Sequence, residues 1–179
     1  MAHPPGRGSL PAALGRAAHL GAAGLRWEPQ PPPPADHPGN GVLYAATDTT
    51  TAFAEVFQAR RALTLSPARL LSGWQPTRPL RLLDLTGGWA IRQGASASLH
   101  AAPRSTCRAW ARAIRAELPD LDGLYPPSTW TLRPMVVLFA PAGSAFPAGP
   151  SFSREIDDPL LSRYVVTAAD ELGWPIRRA

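Results

Sequence analysis

The sequence contains no lysine, a single cysteine and no long apolar run. Its 18 basic residues are all arginine, which excludes a GxxxxGK(S/T) phosphate loop, and no GxGxxG motif is present either. The single cysteine, Cys107, excludes an internal disulfide and a multi-cysteine metal site. No run approaches the roughly 20 apolar residues of a membrane helix, and Met1–Gly24 lacks the apolar stretch of a secretory signal. We therefore expect a soluble, cytoplasmic protein without a membrane segment.

The usual hydrolase and metal motifs are absent as well. The four histidines, His3, His19, His37 and His100, show no HExxH spacing, so a zinc site is not expected. There is no GxSxG sequence, the mark of a nucleophile elbow. We expect neither a metal nor a prosthetic group.

The arginines are concentrated in the middle of the chain. Its 179 residues, 45% of them hydrophobic, suffice for one domain with its own core. Residues 59–116 hold ten Arg against Asp84 alone, whereas residues 1–58 hold three against four acids and residues 117–179 five against eight. With 22 Pro and no Lys, this excess is typical of composition bias in a GC-rich genome. The alternative is an electropositive face for phosphates or an acidic partner.

The first part of the chain predicts little regular structure. Residues 1–24 lack a sustained period and are interpreted as an irregular segment. The prolines between Pro29 and Pro34 forbid a helix and favour an extended surface loop, with a ligand for a proline-binding partner as the alternative. The turn Gly39–Gly41 then leads into a short strand, Val42–Ala46.

A helix is predicted from Thr47 or Asp48, either of which can cap it, to about Arg61. Its apolar residues have the spacing of a face packed on a sheet, and they are Ala52, Phe53, Val56, Phe57 and Leu63. Glu55 lies about 120° from the centre of that face, with only alanines above and below it. From there a carboxylate can face a cleft; an ordinary exposed helix glutamate is the alternative.

The clearest helix spans residues 105–118. Its apolar stripe includes Cys107, which we interpret as a packing residue rather than a nucleophile. The opposite stripe consists of Arg108, Arg112 and Arg115, and we interpret it as a solvated face, with a binding site as the alternative.

Apolar runs predict the remaining strands, at residues 80–85, 124–125, 135–139 and 163–167, with a last helical turn at 168–172. The elements alternate without a regular βαβ rhythm, and no internal repeat is visible. This order favours a single α+β domain over a doubly wound sheet.

Several segments resemble the RES family of NAD⁺-consuming bacterial toxins, and they occur in the family's order. Arg26-Trp27 is similar to its RW pair, Gly41–Asp48 to its LYxA strand, and Ala52–Phe57 to its AxxEv helix. Arg78–Thr86 resembles its RPLRLxDLT strand, Asp122–Ser128 its DGlxy segment with a serine, and Val136–Phe139 its closing vvLF strand. The resemblance runs from about residue 26 to residue 139.

The resemblance implies a fold, an activity and a partner. The fold would be α+β of the ADP-ribosyltransferase type, a mixed sheet flanked by helices, with a catalytic domain at 25–167, an irregular segment at 1–24 and a C-terminal tail at 168–179. The activity would be cleavage of NAD⁺, the substrate, between nicotinamide and ribose, with water, phosphate or a protein as acceptor. An Xre-type antitoxin would silence the enzyme, and the family suggests a homodimer.

The resemblance also places the site. Glu55, Ser128 and Arg26 would be catalytic, and their residue types fit, since a carboxylate stabilises an oxocarbenium-like ribose and a guanidinium grips a pyrophosphate. Tyr44 and Trp27 would contact NAD⁺ together with Arg26. The family carries a further arginine on a first strand, for which Arg16 is the best candidate, although no convincing strand surrounds it.

Other functions stay open at this point. The same site could ADP-ribosylate a protein, or the chain could be an inactive interaction protein that has kept the fold. A module that binds nucleic acid through the arginines between residues 60 and 115 is a third alternative. No aromatic or glycine pattern of such a module accompanies the charge, so direct nucleic-acid binding is not expected.

Overall fold

The computed structural model describes residues 24–33, 35, 37 and 39–178. Within them the strands are β1 (Leu43–Ala46), β2 (Leu63–Leu65), β3 (Leu70–Gly73), β4 (Leu82–Asp84), β5 (Gly123–Tyr125), β6 (Met135–Leu138), β7 (Phe152–Glu155) and β8 (Ile176–Arg178). The helices are α1 (Thr49–Phe57), α2 (Trp89–Arg92), α3 (Arg104–Glu117) and α4 (Ser162–Leu172). Short 3-10 turns lie at Leu99–Ala101, Ala140–Ala145 and Pro159–Leu161. Over these ranges no helix has the length and apolar character needed to cross a membrane.

The central sheet is mixed and has the strand order β1-β6-β5-β4. β6 pairs antiparallel with β1 and β5, whereas β5 and β4 are parallel and are joined through α2 and α3. Two smaller sheets pair β2 with β8 and β3 with β7. Strands and helices of this kind confirm the predicted α+β class; the ADP-ribosyltransferase type stays a prediction.

β5 and β6 approach closely at Gly123, the glycine of the predicted DG segment. A Cβ at this position would lie 2.2 Å from the carbonyl oxygen of Val137 on β6. No side chain fits there without moving the backbone, so glycine is required for the spacing of the two central strands.

Two hydrophobic clusters stabilise the fold. The sheet cluster lies between the central sheet and α3, and it includes Trp27, Val42, Leu85, Cys107, Ile114, Leu124, Val137 and Phe139. Cys107 is fully buried in it and donates to the carbonyl of Leu99, which confirms its packing role. The helix cluster joins α1 to α4 and contains Phe53, Phe57, Leu63, Ile156, Val165, Ala168 and Ala169. Helix α1 thus connects the sheet to the C-terminal part of the chain.

Both long predicted helices are confirmed. The Asp48 carboxylate accepts from the backbone N–H of Thr51 at 2.9 Å and caps α1 as expected. The helix ends at Phe57 rather than near Arg61, which has a positive φ of 46°.

The predicted strand at 163–167 is wrong. This segment belongs to α4, because Leu161, Val165, Ala168 and Ala169 have helical spacing and are buried on one face. Burial of that face outweighs the strand preference of the β-branched residues around it. The boundary predicted at 167/168 therefore falls inside a helix, and residues beyond it form β8 against β2.

The arginine stripe of α3 is half-buried rather than a solvated face, so that interpretation is also wrong. Arg108 donates to the carbonyl of Gly24 at 3.1 Å, and Arg112 donates to the carbonyl of Gln30 at 3.4 Å. The guanidinium of Arg115 lies 5.5 Å from the ring centroid of Phe139. These contacts fix the segment 24–30 against α3, so its stretch from residue 27 to 30 is buried and not part of a surface loop.

Candidate active site

Glu55 and Ser128 lie in direct contact although they are 73 positions apart in sequence. Helix α1 presents Glu55, and the turn after β5 presents Ser128. The serine Oγ donates to Oε1 of Glu55 at 2.7 Å. Ser128 is fully buried and Glu55 is half-buried, so the pair lies at the edge of the core. Two of the residues predicted to be catalytic are therefore brought together.

The hydroxyl of Ser128 has a fixed direction. Its oxygen accepts from the backbone N–H groups of Trp130 at 3.1 Å and Thr131 at 3.4 Å. The turn is closed by two backbone bonds, from the N–H of Ser128 to Arg133 and from the N–H of Leu132 back to Ser128. With donors on its oxygen, the hydroxyl directs its single hydrogen at the Glu55 carboxylate.

Two further side chains contact this pair. Gln58 donates from Nε2 to the backbone carbonyl of Glu55 at 2.6 Å and approaches the carboxylate Oε2 at 3.5 Å. The indole N–H of Trp130 donates to Oε1 of Gln58 at 3.0 Å. Neither residue was predicted from the sequence. Gln58 could have been predicted, since it lies three residues after Glu55 on a predicted helix. Trp130 could not, because its contact with Gln58 depends on how the turn after β5 folds back onto α1.

Tyr44 lies on β1, and its hydroxyl oxygen accepts from the backbone N–H of Trp27 at 2.7 Å. Burial raises the pKa of Tyr44 above its ordinary value. The N–H of Trp27 lowers that pKa, the carboxylates of Glu28 and Glu55 raise it, and Arg26 lowers it. Tyr44 is therefore a neutral hydroxyl at neutral pH, near enough to these charged groups for each to affect its ionisation.

Arg26 is the third residue predicted to be catalytic, and its contacts differ from those of Glu55. Its guanidinium donates to the carbonyl of Ala102 and lies 3.7 Å from Sγ of Cys107. One edge of the guanidinium is therefore occupied by the protein. Arg26 lowers the pKa of Tyr44 and Glu55 raises it, so the two charged groups act on this hydroxyl in opposite directions.

Trp27 and Arg16 complete the predicted set. The ring of Trp27 is only 1% exposed and packs in the sheet cluster, which leaves its backbone N–H as its contact with Tyr44. Arg16 lies outside the described residues, so its role stays a prediction.

Glu28 is a carboxylate that the sequence analysis did not single out. It is 2% exposed and accepts from the backbone N–H of Leu25 at 3.2 Å. Its carboxyl group contributes to the raised pKa of Tyr44. Only the burial of the segment 24–30 draws attention to this carboxyl group, and a proline-rich sequence does not predict that burial.

Asp122 is a second buried carboxylate with a distant partner. Arg78 donates to both of its oxygens, at 2.7 and 2.8 Å, and the backbone N–H of Arg81 donates at 2.8 Å. Burial raises the pKa of Asp122, but these hydrogen bonds and the charge of Arg78 outweigh it, and the pKa lies below its ordinary value. This ion pair fixes the strand-edge segment of residues 78–81 against β5.

The geometry around Glu55 suits the stabilisation of a positive charge. The carboxylate is partly desolvated, oriented by two side chains, and bonded strongly at one oxygen only. Two surface cavities, of 690 and 630 Å³, have linings that include neither Glu55 nor Ser128; the second is lined by Val56 and Phe57 of α1, among others. Among the described residues no cluster of three or more His, Cys, Asp or Glu could hold a metal ion.

Comparison with known families identifies the chain. The family model for the RES domain matches residues 4–157, which is most of the sequence. The protein therefore belongs to the RES family, as the resemblance of its motifs implied. Comparisons with curated proteins and with solved structures found no match.

Proposed function

We propose that this RES-family protein is an enzyme that cleaves the bond between nicotinamide and ribose in NAD⁺, with Glu55 at the centre of its site. The observation that supports this proposal is the 2.7 Å hydrogen bond from Ser128 to Glu55. It joins two segments that carry the family's motifs, and it orients a carboxylate that has few other partners.

The reaction requires an anion beside the ribose. When the bond between C1′ and the nicotinamide nitrogen breaks, its electrons leave with nicotinamide and C1′ becomes oxocarbenium-like. Glu55 stabilises that positive charge, and the bond from Ser128 keeps one carboxylate oxygen fixed while the other accepts from a ribose hydroxyl. Water or phosphate then attacks C1′ and loses a proton.

Tyr44 and Arg26 are assigned to the rest of the substrate. Because Tyr44 accepts from the N–H of Trp27, its own hydrogen can be donated to nicotinamide or its ribose. Arg26 offers its remaining N–H groups to the pyrophosphate, a pairing that guanidinium geometry favours. NAD⁺ is a substrate in this scheme, and no prosthetic group takes part.

The family is associated with toxin–antitoxin systems, and we extend that association to this chain. Unchecked loss of NAD⁺ would arrest growth, so the activity requires a silencing partner, which we propose to be an Xre-type antitoxin. The site of action would be the cytoplasm, where the NAD⁺ pool is. A homodimer is the proposed assembly.

The experiment is to incubate the purified protein with NAD⁺, with and without phosphate, and to follow the dinucleotide and its products. We expect NAD⁺ loss and free nicotinamide from the wild type, and loss of that activity in Glu55→Gln. Glu117→Gln, an equal charge change at the exposed end of α3, is the matched control and should retain the activity. No NAD⁺ loss under either condition, with no growth arrest on expression, would refute the proposal.

A parallel reaction with labelled NAD⁺ and a cell extract distinguishes protein ADP-ribosylation, which would transfer label to polypeptides. The nucleic-acid alternative gains no support from the structure. Arg78, Arg108 and Arg112, from the basic middle of the chain, all hydrogen-bond to protein groups.

A further inference from the structure

Four residues form a closed circuit of contacts around the site, which we call the positioning ring: Glu55, Ser128, Trp130 and Gln58. Ser128 donates to Glu55 Oε1 at 2.7 Å, and the backbone of Trp130 donates to the Ser128 hydroxyl at 3.1 Å. The indole of Trp130 donates to Gln58 at 3.0 Å, and Gln58 approaches Glu55 Oε2 at 3.5 Å. Each member thus contacts two others.

The hydrogen bond from Ser128 alone does not fix the orientation of the Glu55 carboxylate. A carboxylate held at one oxygen still rotates about its terminal torsion, which has broad preferences. The amide of Gln58, the C-cap residue directly after α1, gives the second oxygen a neighbour and limits that rotation. Gln58 is in turn held by Trp130, so the orientation of the carboxylate depends on the indole.

Trp130 is held from behind by Trp174 and Arg61, of which Trp174 lies outside the family match. Its ring lies edge-on to Trp174, with centroids 6.0 Å apart, and the guanidinium of Arg61 lies 5.5 Å from its centroid. Trp174 follows α4, beyond the matched residues 4–157. The C-terminal part of the chain therefore supports one side of the ring.

We infer that Gln58 and Trp130 are positioning residues, which hold the Glu55 carboxylate in the plane needed to stabilise charge on the ribose. The inference rests on the proposed function for its catalytic consequence. Neither residue contacts substrate in this scheme; both act through Glu55.

The kinetic test removes each hydrogen bond: Gln58→Met keeps the side-chain length, and Trp130→Phe keeps an aromatic ring. Gln58→Met and Trp130→Phe should each lower kcat for NAD⁺ cleavage about tenfold and leave KM nearly unchanged, because misplacing Glu55 weakens transition-state stabilisation rather than binding. The double variant should be no slower than the slower single variant, since both break one circuit. Gln93→Met, at the exposed end of α2, and Trp110→Phe, from the other edge-on tryptophan pair, are the matched controls.

A second readout does not depend on activity. The indole N–H resonance of Trp130, assigned by its loss in Trp130→Phe, should shift in Gln58→Met and also in Glu55→Gln, whereas that of Trp110 should not. Multiplicative kcat losses in the double variant, or an indole resonance unchanged by Glu55→Gln, would overturn the inference. If the wild type does not cleave NAD⁺, the proposed function fails, and the resonance shifts alone decide whether the ring exists.

Discussion

Asp122 and Glu55 are both carboxylates that join distant segments of the chain, yet their surroundings differ. Asp122 is 1% exposed and accepts three hydrogen bonds no longer than 2.8 Å, two from Arg78 and one from the backbone of Arg81. Glu55 is half-buried, accepts one short bond from Ser128, and has only a 3.5 Å neighbour at its other oxygen. The first carboxylate is paired with a cation, whereas the second contacts only neutral partners among the residues that the structure describes.

From this difference we assign the two carboxylates different roles, a structural one to Asp122 and a chemical one to Glu55. The charge of Asp122 is neutralised, so replacing it should affect the fold. Glu55 accepts one short hydrogen bond and has a more distant neighbour at its other oxygen, so replacing it should affect the reaction and leave the fold nearly intact. Belonging to a family motif does not distinguish the two, because both lie in segments that resemble the RES pattern.

The largest expected effect on stability belongs to Asp122→Asn. It leaves Arg78 without a counter-charge and reduces the acceptors for three donors, which should lower the free energy of unfolding by about 3 kcal/mol. Urea denaturation at neutral pH measures this. Asp120→Asn, an exposed neighbour on the same segment, is the control and should change little; equal losses in both variants would contradict the structural role of Asp122.

Ser128→Ala should lower both the reaction rate and the free energy of unfolding, each by an intermediate amount. The variant removes the donor to Glu55 and should lower kcat about tenfold, and it leaves two backbone N–H groups without their acceptor, which should cost about 1 kcal/mol of stability. Steady-state kinetics and urea denaturation check the two parts. Ser105→Ala, on the exposed face of α3, should change neither.

Acid should remove the contribution of Asp122 to the free energy of unfolding. Its pKa is lowered in the folded state, so the unfolded chain takes up its proton first as pH falls, and the stabilisation present above about pH 4 is lost on the way down to the folded pKa. The difference in unfolding free energy between wild type and Asp122→Asn should therefore narrow from pH 7 to pH 3. Asp48, Asp84 and Asp158 also have lowered pKa values, but they titrate in both proteins and cancel in the difference.

The smallest effect is expected for Arg133→Gln. Arg133 pairs with Asp48 at 3.3 Å and with Glu171 at 2.8 Å, but these groups are exposed, and water and salt screen such pairs. Its unfolding free energy should differ from that of the wild type less than that of Asp122→Asn or Ser128→Ala, and the difference should shrink further at high salt. If Arg133→Gln lowered the unfolding free energy as much as Asp122→Asn, the exposed ion pairs of Arg133 would be as stabilising as the buried pair of Arg78 and Asp122, which would contradict this account.

Sequence alone predicted the parts of the fold that carry their own local signal. The cap at Asp48, the helical spacing of Phe53 and Phe57 and the apolar run of β6 are local patterns, and they gave these elements correctly. Two residues of the predicted apolar face of α1 are wrong, because Val56 is 58% exposed and Leu63 belongs to β2. Strands β2, β3, β7 and β8 were not predicted. Each has only three or four residues and is paired with a partner distant in sequence, so no local period identifies it.

The candidate site was predictable to a similar extent. Helical spacing placed Glu55 at the flank of a buried face, and the motif resemblance supplied Ser128. The roles of Trp130, Gln58 and Glu28 depend on how the turn after β5 and the segment 24–30 fold onto the rest, which is a property of tertiary contacts. The same limit made the arginines of α3 look solvated, although they hydrogen-bond to the segment 24–30.

The most direct test is NAD⁺ turnover at saturating substrate in Glu55→Gln and in Asp122→Asn, each measured at a temperature where urea denaturation shows the variant to be folded. We predict that Glu55→Gln loses at least about a hundredfold in kcat, while Asp122→Asn retains kcat close to that of the wild type. Full turnover in Glu55→Gln, or an equal loss in folded Asp122→Asn, would contradict the assignment of Glu55 as the carboxylate that performs the chemistry.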